Sequence, residues 1–192
     1  MVGTDCAVGK KYTALALTKS LKKMSAKATF RATGQTGIMI AGNGIPIDAV
    51  VSDFVSGAAE LISPDNDPDH WDVIEGQGSL FTPAYAGVSL GLLHGSQPDA
   101  LVVCHDPTRD HIVGCPAQPI PTVQTCIETN LLLARLTNPD VRCVGVSVNT
   151  SLLAPSERKA VMDEIAQETS LPCVDPIIDG IEAIVEQVSM KQ

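Results

Sequence analysis

Two kinds of apolar segment alternate along the chain. Residues 99–104 form a short, almost uninterrupted apolar run, which is typical of a strand buried on both faces. In residues 12–24, by contrast, Leu17, Leu21 and Met24 recur at helical spacing and form one apolar stripe. The same reasoning predicts further strands at 27–32, 71–74, 141–148 and 172–174, and further helices at 47–62, 85–94, 122–136, 155–169 and 180–188.

Strands that alternate with helices predict an α/β domain with a doubly wound, mostly parallel sheet and helices on both faces. Ligands bind such sheets at the carboxyl ends of the strands. Turns rich in glycine and polar residues should gather there, at 3–10, 33–37, 75–79, 105–109 and 149–151.

Two apolar stretches allow further predictions. The helix at 47–62 should bury Val50, Val51, Phe54, Val55 and Ala58. Residues 38–44 are apolar and glycine-rich, which favours a loop, and the stretch 38–47 could cover a second copy in a homo-oligomer.

The turn at 3–10 has the layout of a phosphate-binding loop. Gly9-Lys10 precedes a helical pattern, so backbone N–H groups at a helix N-terminus and a lysine would face an anion. Thr4 stands where the usual G-x-x-x-x-G-K-[ST] pattern has its first glycine, and Lys11 stands where a Mg²⁺-binding hydroxyl is usual. A strand–turn–helix junction that happens to contain Gly-Lys is the alternative interpretation. The predicted cofactor-binding residues of this turn are Gly3, Thr4, Asp5, Cys6, Ala7, Val8, Gly9, Lys10, Lys11 and Tyr12.

Composition narrows the function classes. The 192 residues are 44% hydrophobic but only 3% aromatic, which fits one globular domain with an aliphatic core. A net charge of −9 argues against a nucleic-acid binder, which should carry a basic face. No apolar run is long enough for a membrane span and no signal peptide is visible, so we expect a cytoplasmic protein that acts on a small molecule. The six cysteines are scattered without a C-x-x-C pair, which favours reduced thiols and predicts no metal site.

Four blocks of sequence resemble a known family. They lie at residues 32–42, at 75–80 with 83–85, at 91–100 and at 136–139. The blocks are similar to the C-terminal P-loop domain of the DgcN family, formerly a domain of unknown function, whose members are described as D-glutamate N-acetyltransferases that use acetyl-CoA. The resemblance implies that residues 1–192 are a single domain like that of P-loop NTPases. It also implies that they form the C-terminal part of a longer protein whose N-terminal Rossmann-like domain is absent. The short first strand agrees, because only two residues precede Gly3.

A more distant resemblance offers an alternative. The loop at 3–10 and the block at 74–83 look like those of dethiobiotin synthetase, a P-loop ligase. In that enzyme the residue matching Glu75 helps to hold Mg²⁺, and the residue matching Asn149 meets adenine.

The function expected from the first resemblance is transfer of an acetyl group from acetyl-CoA to the amino group of an acidic amino acid such as D-glutamate. The loop would hold the CoA phosphates. Lys10 and Lys11 at the positive end of a helix suit a strongly anionic ligand, and a metal-free diphosphate fits them at least as well as Mg-ATP. An ATP- and Mg²⁺-dependent ligase or kinase, or a non-catalytic nucleotide-binding module, remains the alternative.

Glu75, Asp5 and His94 are the candidate catalytic residues. Glu75 could act as a general base on the substrate ammonium group or as a Mg²⁺ ligand, or it could simply accept hydrogen bonds from glycine-turn amides. A structural role in the loop is equally open for Asp5, and His94 shares its candidacy with His105 and His111.

The candidate substrate-binding residues are uncharged and lie on glycine turns: Gln35, Thr36, Gln77 and Ser79. Arg31 or Arg109 could pair with a dicarboxylate. Cys6 lies at a helix start, where a thiolate would be stabilised, although a packing role is the favoured interpretation.

Overall fold

A computed structural model describes residues 1–189 and shows an α/β fold. The strands are β1 (Val2–Gly3), β2 (Lys27–Arg31), β3 (His70–Ile74), β4 (Ala100–His105), β5 (His111–Ile112), β6 (Cys115–Pro119), β7 (Arg142–Val148) and β8 (Cys173–Val174). The helices are α1 (Lys10–Lys23), α2 (Gln35–Ala41), α3 (Val55–Ile62), α4 (Ala86–Ser96), α5 (Val123–Ala134), α6 (Pro155–Thr169) and α7 (Glu182–Ser189).

The central sheet is parallel. Its strands are paired in the order β1-β4-β7-β8, and β2 pairs with β3 in the same sense. The two parts meet where the Met1 ammonium group donates to the carbonyl of Ile74 at 3.0 Å, which gives the order β2-β3-β1-β4-β7-β8. β1 therefore lies in the middle of the sheet, and the predicted doubly wound fold is confirmed. An antiparallel hairpin, β5-β6, stands apart from it.

Successive side chains of a strand point to opposite faces of the sheet, and in these strands both sets are apolar. Helices therefore cover both faces. Val102 and Val144 pack on one face against α1 and α7. Val103 and Val146 pack on the other against α5 and α6. None of the helices within residues 1–189 combines the length and the apolar character that crossing a bilayer demands.

Residues 35–41 correct one prediction, because they form α2 rather than a loop. The helix ends at Gly42, whose left-handed φ of 75° suits glycine. Met39 on α2 is 83% exposed, whereas Ile38 packs against the core. The homo-oligomer that this stretch was expected to support stays a prediction.

The helix predicted at 47–62 is also shorter than expected. Two 3₁₀ turns, Ile47–Ala49 and Ser52–Phe54, precede α3. Val50 and Val51, which separate the two turns, have extended ψ angles, as suits β-branched residues. Val51 and Phe54 are consequently exposed instead of buried. The β5-β6 hairpin was not predicted at all.

Candidate functional site

The turn between β1 and α1 lies at the carboxyl end of β1, in the middle of the sheet. Gly3 lies so close to its neighbours that a Cβ there would be 2.9 Å from both the Cys104 carbonyl and Val8 Cγ2. Close packing therefore requires a glycine at position 3. This is one position earlier than the first glycine of the G-x-x-x-x-G-K-[ST] pattern. At the next position, the Thr4 hydroxyl bonds His105 Nδ1 at 3.0 Å, so a side chain is used where that pattern has glycine.

The Asp5 carboxylate stabilises the turn by accepting four hydrogen bonds. Its Oδ1 accepts from the Cys6 N–H at 2.7 Å and from the Thr82 hydroxyl at 2.8 Å. Its Oδ2 accepts from Arg109 Nη1 and from the Val113 N–H, both at 2.9 Å. Burial alone would raise the pKa of Asp5, but the hydrogen bonds from Val113, Thr82, Cys6 and Arg109 outweigh it and hold that pKa below its usual value. The carboxylate is completely buried and fully bonded, which is the arrangement of a structural group.

Two cationic side chains donate hydrogen bonds to carbonyl oxygens of the loop. Arg109 donates to the Cys6 carbonyl at 2.8 Å and to the Ala7 carbonyl at 3.1 Å. Lys10 Nζ donates to the Asp5 carbonyl at 2.7 Å. Lys10 is only 6% exposed, and this burial lowers its pKa. The loop thus keeps its shape through contacts within the protein.

The N-terminus of α1 is free to receive an anion. Within residues 1–189 no side chain caps this helix, and its first turn contains no acidic residue. Thr13 makes the first helical bond, to the Gly9 carbonyl, so the N–H groups before it lack intrahelical partners. Gly9 has a left-handed φ of 104°, and in the part of the chain that the structure describes no atom beyond its two neighbours lies within 4 Å of where a Cβ would stand. The end of the helix is therefore open as well as positive.

A cavity of about 560 Å³ opens in front of this helix end. The lining residues named in the sequence predictions are Cys6, Ala7, Gly9, Lys10, Lys11, Tyr12, Gln35, Thr36, Glu75 and Gln77. Gln35 and Thr36 are exposed to it. Asp48, Tyr85 and Val88 also line it, although sequence reasoning had missed them.

Glu75 lines the cavity although most of its side chain is buried. Its Oε2 accepts from the N–H groups of Thr33 at 3.0 Å and Gly34 at 3.1 Å, just before α2. Gly37 on α2 packs directly on the carboxylate, so that a Cβ at that position would overlap it. The side-chain amide of Gln77, which also lines the cavity, donates to the Thr33 hydroxyl at 3.0 Å. Glu75 is thus oriented by backbone amides while it lines the cavity.

Seven predicted site residues do not line this cavity. Four of them are buried within the loop itself: Gly3, Thr4, Asp5 and Val8. The other three lie elsewhere. His94 lies between α4 and α5, where its Nε2 donates to the Leu133 carbonyl at 3.0 Å. Ser79 is buried and donates to the Gly3 carbonyl at 2.8 Å, so it supports the loop from behind. Asn149 lies at the end of β7, where its Oδ1 accepts from the Ser151 N–H at 3.2 Å. No local pattern in the sequence distinguishes such inward-facing side chains from cavity-facing ones.

The two candidate arginines are paired with carboxylates of the protein, and Cys6 is not activated. Arg31 pairs with Asp72 at 2.7 Å, and Arg109 pairs with Asp5. Burial raises the pKa of Cys6, and the adjacent Asp5 carboxylate adds to this effect, so Cys6 is a thiol rather than a thiolate. All six cysteines are free. Within residues 1–189 no group of three or more His, Cys, Asp or Glu side chains is arranged to hold a metal ion, so a Mg²⁺ ion at Glu75 would depend on ligand and water oxygens.

The chain is similar to known proteins. Residues 1–185 match the family described as a domain of unknown function (DUF1611_C), P-loop domain. Proteins named D-glutamate N-acetyltransferase are similar: one from Pseudoalteromonas sp. is 55% identical over 96% of this chain, and one from Tritonibacter scottomollicae is 50% identical over 98%. The chain spans about half the length of these curated relatives, 55% and 56% respectively.

A solved structure gives the same result for the fold. The crystal structure of a DUF1611 family protein from Anabaena variabilis superposes with a TM-score of 0.93 at 35% identity, and the match covers 99% of this chain and 56% of that one. The resemblance that the four sequence blocks carry is therefore confirmed: the chain belongs to the DUF1611 family, as its P-loop domain.

Proposed function

We propose that this domain takes part in transferring an acetyl group from acetyl-CoA to the amino group of an acidic amino acid such as D-glutamate. One observation carries the proposal. The open, positive end of α1 lies beside an oriented carboxylate, Glu75, in a chain at least 50% identical to proteins named D-glutamate N-acetyltransferase.

The loop fits the diphosphate of CoA. The uncapped N-terminus of α1 offers backbone N–H groups, and Lys10 and Lys11 add two positive charges beside them. Lys11 replaces the hydroxyl that usually binds Mg²⁺, and the nearby Thr13 hydroxyl is bonded to Ser147 at 2.8 Å. The chain's own groups therefore supply cationic charge to the phosphates where a nucleotide site would normally recruit a metal ion.

The chemistry in the cavity would fall to Glu75. When bound, acetyl-CoA supplies a thioester carbonyl to be attacked by an amine. The amino group of the substrate must lose a proton before it can attack, and Glu75 is a carboxylate held in a fixed orientation inside the cavity. Gln35 and Thr36 project into the same space and can bond the substrate carboxylates.

A binding experiment tests the role of the loop. Melting temperatures of the chain are measured with CoA, acetyl-CoA and Mg-ATP, since a ligand at about 100 times its Kd adds about 2.7 kcal/mol of stability. We expect CoA and acetyl-CoA to raise the melting temperature and Lys11→Ala to weaken the effect. Lys22→Ala, at the far end of the same helix, is the matched control. Stabilisation by Mg-ATP alone would instead favour a ligase or kinase of the dethiobiotin-synthetase type.

An activity experiment tests the reaction. A full-length protein containing this domain is incubated with acetyl-CoA and D-glutamate, and free thiol is measured. Glu75→Gln should lower turnover by about 10²–10⁴-fold, the usual contribution of a general base, while Glu60→Gln, on the exposed face of α3, should not. If the full-length protein binds CoA but releases no thiol with any acidic amino acid, the domain is a binding module and the proposed reaction is rejected.

A further inference from the structure

The charged side chains that line the cavity of about 560 Å³ differ in how they are bonded. Lys10 donates to the Asp5 carbonyl, and Glu75 accepts hydrogen bonds from backbone amides. Within residues 1–189, by contrast, the side chains of Lys11 and Asp48 make neither a hydrogen bond nor an ion pair. One cation and one anion therefore face the cavity with their bonding capacity unused.

These two unpaired charges belong to different parts of the sheet edge. Lys11 follows β1, whereas the turn that carries Asp48 is bonded to the loop after β2, since the Ile47 N–H donates to the Thr33 carbonyl at 2.9 Å. β3 lies between β2 and β1, and Glu75 directly follows it. Neighbouring strands lie about 4.8 Å apart, so the ends of β1 and β2 are about 10 Å apart. The cavity is therefore cationic beside β1 and anionic beside β3 and β2.

Asp48 is held in place by the residue before it. Ile47 is completely buried and packs with Val55 and Leu92, while Asp48 is exposed and lines the cavity. Thr33, which accepts from the Ile47 N–H, also donates its own N–H to Oε2 of Glu75 at 3.0 Å. Both acidic residues are thus tied to Thr33, which keeps the two carboxylates in the same part of the cavity.

Glu75 has one carboxylate oxygen to spare. Its Oε2 accepts two backbone hydrogen bonds, but within residues 1–189 its Oε1 accepts none. In that part of the chain every fully buried side-chain nitrogen or oxygen has a partner, so Oε1 is an accessible atom of a residue that is only 4% exposed. Leaving a buried carboxylate oxygen without a donor is costly. The geometry therefore calls for a donor, preferably a cationic one, from a ligand in the cavity.

We propose that Asp48 and Oε1 of Glu75 together bind the ammonium group of the amino acid that accepts the acetyl group. This inference rests on the proposed function, which supplies the amino acid as substrate. An ammonium group brings one positive charge and three N–H donors, and charged carboxylates are strong acceptors for it. The uncharged side chains of Gln35 and Thr36 remain for the substrate carboxylates. Asp48 is then a binding residue that selects for an amine at this position.

A comparison of two ligands tests the subsite without requiring any reaction. D-Glutamate and glutarate share both carboxylates, but only D-glutamate has an ammonium group. Their affinities for a full-length protein containing this domain are measured by titration calorimetry at pH 7 in the presence of CoA. The wild type should bind D-glutamate at least about tenfold more tightly than glutarate, because a hydrogen bond between charged groups contributes that much. Asp48→Asn should lose most of this preference.

The matched control is Asp53→Asn. Asp53 is the middle residue of the second 3₁₀ turn, Ser52–Phe54, as Asp48 is of the first, and it is also exposed. It is absent from the lining that residues 1–189 give the cavity, so the preference for D-glutamate should stay unchanged. A disturbed turn in Asp48→Asn would weaken both ligands alike, whereas loss of an ammonium contact weakens D-glutamate alone.

The outcomes separate this inference from the proposed function. A wild type without preference for D-glutamate, or an Asp48→Asn variant that keeps it, overturns the subsite. If Asp48→Asn loses the preference but the wild type releases no thiol from acetyl-CoA, the subsite stands and acetyl transfer is rejected. If thiol is released and the preference is the same in Asp48→Asn, only the subsite is rejected.

Discussion

Replacing Asp5 by asparagine distinguishes a structural role from a catalytic one. The change keeps the size of the side chain and leaves one oxygen for the Cys6 N–H and the Thr82 hydroxyl. The new amide group, however, points its own hydrogens at Arg109 and at the Val113 N–H. In the wild type, Arg109 and the Val113 N–H donate to the carboxylate. In the variant both would face the amide N–H₂ group, which is itself a donor.

The size of the effect follows from these contacts. Loss of a hydrogen bond to a charged group costs about 1.5–3 kcal/mol, and breaking a buried ion pair costs about 3–5 kcal/mol. Arg109 keeps its bonds to the Cys6 and Ala7 carbonyls and a weaker contact with Asp106 at 3.4 Å, which reduces the loss. We therefore expect Asp5→Asn to destabilise the domain by about 3 kcal/mol, or to lower its melting temperature by about 10 °C.

Chemical denaturation at pH 7 measures this difference, with Asp163→Asn as the control. Asp163 makes an exposed pair with Lys159 on α6, and its loss should cost less than about 1 kcal/mol. Because the folded-state pKa of Asp5 is depressed, its contribution is present above about pH 4 and is lost as the pH falls through the folded value. A variant with wild-type stability but no activity in the full-length protein would refute the reasoning and return Asp5 to the chemistry.

Three further measurements test other parts of the structure. Burial lowers the pKa of His105 to about 4, so between about pH 6.5 and 4 the imidazole is protonated only in the unfolded chain. The free energy of unfolding should therefore fall by on the order of 3 kcal/mol as the pH drops across this window. The fall should be smaller in His105→Gln. Gly37→Ala should destabilise the protein because the new methyl group overlaps Glu75, whereas Gly57→Ala in α3, with open space around it, should stabilise it by about 0.5–1 kcal/mol in thermal unfolding. Leu21→Ala, at a buried core position beside a cavity, should cost about 2–5 kcal/mol by denaturant titration.

The elements with strong periodicity were predictable from the sequence. The helix predicted at 155–169 is α6 (Pro155–Thr169), and the strand predicted at 99–104 is β4 (Ala100–His105). Buried parallel strands are apolar along their length, so local composition is enough to find them. The fold class followed from their alternation with helices.

α2 was not predictable in this way. Gly37, Gly42 and Gly44 make residues 35–44 look like a loop, since glycine is a poor helix former. In the structure Gly37 is needed because α2 packs on the Glu75 carboxylate, which also accepts hydrogen bonds from the residues that lead into the helix. A contact between residues about forty positions apart decided the local structure.

The division of roles within the candidate site also required the structure. Sequence spacing placed all three in turns at strand ends, Asp5 and Glu75 as candidate catalytic residues and Ser79 as a candidate substrate-binding residue. Only the fold shows that Asp5 meets Val113 and Ser79 meets the Gly3 carbonyl, while Glu75 lines the cavity. These partners lie 76 and 108 residues apart in the chain, where no local pattern could reveal them.

The two lysines of the loop have different positions, and the difference explains how the loop could bind a diphosphate. Lys10 is buried and bonds the Asp5 carbonyl, so part of its charge stabilises the loop itself. Lys11 is half-buried and lines the cavity one residue further along the helix. With Arg109 already holding two carbonyls of the turn, the protein fixes the loop before any ligand arrives. A loop fixed in this way loses little entropy on binding, so the N–H groups of α1 and the charge of Lys11 can contribute to affinity nearly in full.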